Sequence, residues 1–64
     1  MLLYKEFAGT MEYSKHMQKY YGRIVGISDL VFYEAKTQED LTDAFREAVD
    51  AYLAKKDGKD SDGG

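Results

Sequence analysis

Two hydrophobic periods divide this chain near residue 37. Downstream, apolar residues recur at 41, 44, 45, 48, 49, 52 and 53, the i, i+3, i+4, i+7 spacing that lays one stripe along a helix. A helix is therefore predicted over 38–55. Thr37-Gln38-Glu39-Asp40 is a near capping box, with Asp40 shorter than the preferred Glu. Lys55 and Lys56 stand where cations favour the helix dipole.

Upstream, the period is two. Over 2–13, Phe7, Gly9, Met11 and Tyr13 alternate with Glu6, Thr10 and Glu12, as in a strand with one face on a core. Gly9 marks either a bulge or a close approach by the helix. Residues 14–19 form a polar hairpin loop with no Asn-Gly or Asp-Gly signal. A second strand, 19–27, sets Tyr20, Gly22 and Ile24 inward and Tyr21, Arg23 and Val25 outward, since Arg23 is costly to bury. A third, 30–36, turns Val31, Tyr33 and Ala35 inward and Leu30, Phe32 and Glu34 outward. Short links favour a meander with the second strand in the centre. The expected fold is α+β: a three-stranded antiparallel sheet with one helix on one face, βββα. Phe7, Met11, Ile24, Val31, Leu41, Phe45, Val49 and Leu53 are the expected core. Residues 1–55 read as one domain, and 56–64, without an apolar side chain, as a disordered polar tail.

Length sharpens this picture. A chain of 64 residues buries only roughly 60% of the surface its unfolded form exposes. Without cysteine it has neither disulfide nor thiolate staple. A partner surface would help, so an oligomer or one half of a complex is expected, with a homodimer the first choice. The outward residues Tyr21, Arg23, Val25, Leu30 and Phe32 are the candidate partner interface, because one helix leaves their face uncovered.

The net charge is −3, and the acids Glu39, Asp40, Asp43, Glu47 and Asp50 crowd one helix against Arg46 alone. Such a surface repels nucleic acid and anionic lipid. It suits a basic protein partner, or is simply the solvated side of the helix. No secretory signal is visible at the start, and the apolar run at 30–33 is far too short to span a membrane. The cytoplasm is the expected compartment.

Candidate chemistry is sparse. Glu6, Glu12 and Glu34 are expected on the outer sheet face and Asp29 in a connection, which does not bring carboxylates together for metal-assisted hydrolysis. Glu12 and Glu34 are instead placed to flank Arg23 as cross-strand ion pairs. His16, the one histidine, lies in a polar loop without a second ligand, and no glycine-rich phosphate loop is present. No catalytic residue, metal or cofactor is expected. The six tyrosines fit strands and interfaces. A base-stacking role would want surrounding lysine and arginine.

The block YKEFAGTMEYS followed by YYGRIVGISDLVFYEAKTQEDLTDAFREAVDAYL resembles the N-terminal domain of HicB-type antitoxins. The likeness lies in the Tyr-Gly-Arg strand, Gly26 through Val31, the acidic helix start ending in Leu41, and Ala44 through Asp50 followed by Tyr52-Leu53. It covers residues 4–53. The resemblance implies a partial RNase H-like fold and a protein that binds and neutralises a HicA-type mRNA interferase toxin, itself similar in fold to a double-stranded RNA-binding domain. Many members add a ribbon-helix-helix or helix-turn-helix segment that binds the operator. Too few residues follow Leu53 for such an element, so DNA binding is not expected of this chain alone. The alternative function is a stand-alone homodimeric structural or adaptor domain with no toxin partner.

Overall fold

The protein is described by a computed structural model covering residues 1–56. An antiparallel sheet of five short strands precedes one helix: β1 (Leu2–Tyr4), β2 (Phe7–Gly9), β3 (Glu12–Ser14), β4 (Lys19–Val25), β5 (Phe32–Ala35) and α1 (Gln38–Lys56). The class is α+β, as the two hydrophobic periods imply, and α1 packs on one face of the sheet. Lys56, expected just past the helix, is helical. The polar tail expected beyond it lies outside the described residues.

The single strand expected over 2–13 is three strands. Lys5 and Glu6 both adopt left-handed backbone, at φ of 50° and 69°, as a two-residue type I′ hairpin requires. Chain 2–4 therefore folds back on 7–9, with Tyr4 facing Phe7. Nothing in Lys-Glu announces that turn. It is held from outside: Asp50 of α1 accepts from Tyr4 Oη at 3.3 Å and from Lys5 Nζ at 3.1 Å. The Asp50 hydrogen bond and charge push the Lys5 ammonium above its ordinary value.

The second break, at Thr10 and Met11, leaves the register intact. Gly9 faces Ile24 and Glu12 faces Tyr21, with two residues between on each strand. Thus β2 and β3 lie in succession along one edge of β4, and β5 lies along the other, which makes β4 central as expected. At the break, Arg23 N–H donates to Thr10 Oγ1 at 3.0 Å, while Thr10 N–H keeps its bond to the Arg23 carbonyl at 3.0 Å. The Thr10 carbonyl, freed from the ladder, accepts from Tyr33 Oη at 2.8 Å. A side-chain hydroxyl has replaced one rung.

That carbonyl needs space, and Gly22 supplies it: a Cβ there would stand 1.9 Å from Thr10 O. Gly9 makes similar room, since its Cβ would lie 2.2 Å from Tyr33 Oη and 2.6 Å from the Phe45 ring. Of the two readings of Gly9, close approach by the helix is the one realised. Strand β4 stops at Val25, short of the expected 27, because Gly26 turns to a φ of 81°. The third strand is also shorter than expected, beginning at Phe32.

Helix α1 starts as its cap predicts. Asp40 N–H donates to Thr37 Oγ1 at 3.0 Å, and Leu41 N–H to the Thr37 carbonyl at 2.9 Å. The stripe buries Leu41, Phe45 and Val49 against Ile24 and Tyr33, while Tyr52, also buried, packs on Phe7. The expected core is thus corrected in part: Phe7, Met11, Val31 and Leu53 are only half-buried around the cluster. Tyr33 takes an inner place because its long ring reaches the centre while its hydroxyl finds the Thr10 carbonyl at the margin. Tyr33 sits 5.4 Å from the Phe45 ring centroid, and Phe7 meets Tyr52 edge-on at 5.7 Å. Tyr13, expected inward, is 51% exposed. The helix packs on β5, β4 and β1, so Tyr13 covers Tyr20 instead, at 4.9 Å.

Burial raises the Tyr33 hydroxyl above the usual tyrosine value. The neutral form is therefore favoured in the folded chain. Its contribution is complete below the unfolded value of about 10 and disappears as pH rises through the higher folded value. Tyr33→Phe should lose about 1–2 kcal/mol near neutrality by leaving the Thr10 carbonyl without this donor. Between about pH 9 and pH 11 the variant should lose less stability than the wild type. Urea unfolding at several pH values checks both, and parallel pH curves would contradict the assignment.

Candidate interaction surface

Strand alternation aims every second side chain of β4 and β5 away from α1. Tyr21 and Arg23 of β4 and Phe32 of β5 are exposed there, with Val25 half-buried behind them. Leu30, just before β5, is 78% exposed, Phe32 65% and Tyr21 44%. Cross-strand register sorts these residues into rows. Glu12, Tyr21 and Glu34 form one, and Arg23 faces Phe32 in the next, with Thr10 bonded to the far side of Arg23.

These rows correct the expected ion pairs. Glu12 and Glu34 flank Tyr21 and not Arg23. Glu34 pairs with Lys19 at 3.6 Å, and among the described residues no carboxylate lies within salt-bridge distance of Arg23. Two shallow grooves run between the rows. One, of about 280 Å³, is lined by Tyr21, Gly22, Phe32, Tyr33 and Glu34. The other, of about 270 Å³, is bounded by Thr10, Glu12, Tyr21, Gly22, Arg23 and Phe32. Gly22 lines both grooves.

The five candidate residues do not all share one patch. Tyr21, Arg23 and Phe32 border a single groove. Leu30 instead lines a separate groove of about 340 Å³ with Asp29, Val31, Phe32, Ala48, Ala51, Tyr52 and Lys55. Only Phe32 borders both, at the open edge of β5. Single-residue alternation could not reveal this, because it assigns faces and is silent about edges.

The helix acids Glu39, Asp40, Asp43 and Glu47 are exposed, and Asp50 holds the β1–β2 turn. His16 is exposed in the loop at 15–18, where Ser14 Oγ accepts from Met17 N–H at 3.1 Å. Among the described residues, no three His, Asp or Glu side chains gather closely enough to hold a metal ion. No helix of these residues is long and apolar enough to cross a membrane. Comparison of the chain with protein-family models, curated proteins and solved structures finds no match.

Proposed function

We propose that this chain is an antitoxin-like interaction module of the HicB type, with a partial RNase H-like fold, which binds and neutralises a HicA-type mRNA interferase in the cytoplasm. The likeness of residues 4–53 to that family motivates the reading. The observation that carries it is the Glu12–Tyr21–Glu34 row: an exposed aromatic ring between two carboxylates, on the sheet face turned away from α1.

Its chemistry favours a basic partner. A lysine or arginine laid on the Tyr21 ring gains a cation–π contact, with Glu12 one strand spacing to one side; Glu34, on the other, already meets Lys19. Phe32, directly across from Arg23, adds an apolar anchor of the type that dominates binding energy. An RNA-binding toxin must present such cations to hold phosphate. Covering them with this face would remove its substrate site, so neutralisation needs no chemistry from the antitoxin itself.

The test mixes the chain with the HicA-type interferase of the same genome and measures affinity by calorimetry and RNA cleavage by gel. Wild type should bind and suppress cleavage. Tyr21→Ala combined with Glu12→Gln should weaken binding by about 10- to 100-fold with unchanged circular dichroism. Full inhibition by that double variant, or no binding by the wild type, would count against the reading. The stand-alone homodimer is a second reading, favoured by the open, apolar edge of β5.

A further inference from the structure

The fold fixes the backbone of Arg23 and leaves its charge unanswered. Its N–H donates to Thr10 Oγ1 at 3.0 Å. Its carbonyl accepts from Thr10 N–H at 3.0 Å and from Tyr33 Oη at 3.4 Å. Gly22 before it and Ile24 after it are buried, so this part of β4 has little freedom to move. The Arg23 side chain is nevertheless exposed, and among the described residues no carboxylate stands within salt-bridge distance of it.

The surroundings make that free charge selective. Glu12, Tyr21 and Arg23 border one groove of about 270 Å³. Glu12 stands directly across from Tyr21, and Arg23 follows Tyr21 by two positions, on the same face of β4. Two residues of strand span about 6.7 Å. Glu12 also forms no salt bridge among the described residues. The groove thus holds two exposed charges of opposite sign, unpaired with each other, with the ring beside the acid.

We propose that Arg23 determines which protein this face accepts, by receiving a partner carboxylate that lies beside the cation on Tyr21. The inference rests on the toxin-binding reading and adds the charge pattern of the bound surface: a lysine or arginine with an aspartate or glutamate about 7 Å away. A purely basic surface would satisfy Glu12 and Tyr21 but set a like charge against Arg23, which penalises the wrong partner. Arginine suits the role, because its planar fork holds a carboxylate through two parallel hydrogen bonds and is more weakly hydrated than an ammonium. A pinned backbone lessens the freedom lost on binding. A nucleic-acid phosphate would also satisfy Arg23, but the next phosphates along the strand would pass Glu12 and Glu34, which repel them. The group received is therefore a protein carboxylate.

The test uses the whole chain with the HicA-type interferase of the same genome, by calorimetry. Arg23→Gln should weaken binding about 5- to 10-fold and Arg23→Glu about 50-fold or more, with urea midpoints unchanged. If Arg23→Glu unfolds, Arg23→Gln, which adds no charge, keeps the comparison. Each surface Asp or Glu of the interferase is then changed to Lys. One of these variants should lose affinity for the wild-type chain and regain at least about tenfold with Arg23→Glu. A merely structural role for Arg23 would shift the urea midpoint and give no such exchange. Equal binding by wild type, Arg23→Gln and Arg23→Glu, or the lack of any restoring variant, overturns this inference and leaves the toxin reading standing. No binding by the wild type removes both. Structured RNA retained by the wild type and released by Arg23→Gln would assign the cation to phosphate and also overturns it.

Discussion

Phe45→Ala should leave a large fraction of the chain unfolded at room temperature. Phe45 is fully buried at the centre of the single core, against Tyr33 and over Gly9. Truncating a buried phenylalanine destabilises by about 3–5 kcal/mol, because the lost apolar contact is compounded by the cavity left behind. A domain of this size holds only about 3–9 kcal/mol in all. The flexible side chains of Met11 and Leu53, half-buried around the core, can fill part of the space but not replace a ring. Urea titration followed by circular dichroism measures the loss. A change below about 1 kcal/mol would mean that Phe45 is not the centre of the fold.

Gly22→Ala should be nearly as damaging, by about 3 kcal/mol or more, for the opposite reason. The added methyl would lie 1.9 Å from the Thr10 carbonyl oxygen and 3.0 Å from the Tyr33 ring. Backbone cannot rotate aside as a side chain can, so β2 must move from β4 or the Thr10 peptide must turn back. Either movement breaks the Tyr33 hydrogen bond. Gly22→Ala and Tyr33→Phe should therefore be less than additive, since both disrupt one contact. Gly26→Ala provides the contrast. Nothing stands within 4 Å of its missing Cβ, and only its φ of 81° resists the change, so a loss of about 1 kcal/mol is expected. Equal effects at the two glycines would refute this account of Gly22.

The interaction surface was legible residue by residue but not as an arrangement. Tyr21, Arg23 and Phe32 face outward as alternation requires, and burying Arg23 would have demanded a partner. Which carboxylates stand beside which aromatic depends on the register between neighbouring strands, which alternation within one strand does not fix. That register places Glu12 and Glu34 around Tyr21. The division of Leu30 from the Tyr21 row has the same origin, because it follows from where the sheet ends.

Local physics determined the helix, its Thr37 cap, its buried stripe, the central strand and the inward and outward sets of β4 and β5. Each depends on contacts within a few residues or on a period set by backbone geometry. The tertiary structure alone decided the rest. Lys5 and Glu6 form a hairpin turn that Lys-Glu does not announce, and Tyr4 and Lys5 there meet Asp50 from far along the chain. Thr10 breaks the ladder because Tyr33 offers its carbonyl a donor and Gly22 offers it room. Tyr33 takes a core place because its hydroxyl partner, the Thr10 carbonyl, is brought within reach only by strand pairing. Such choices are made by residues that meet only in the folded chain, and no window along the sequence contains them.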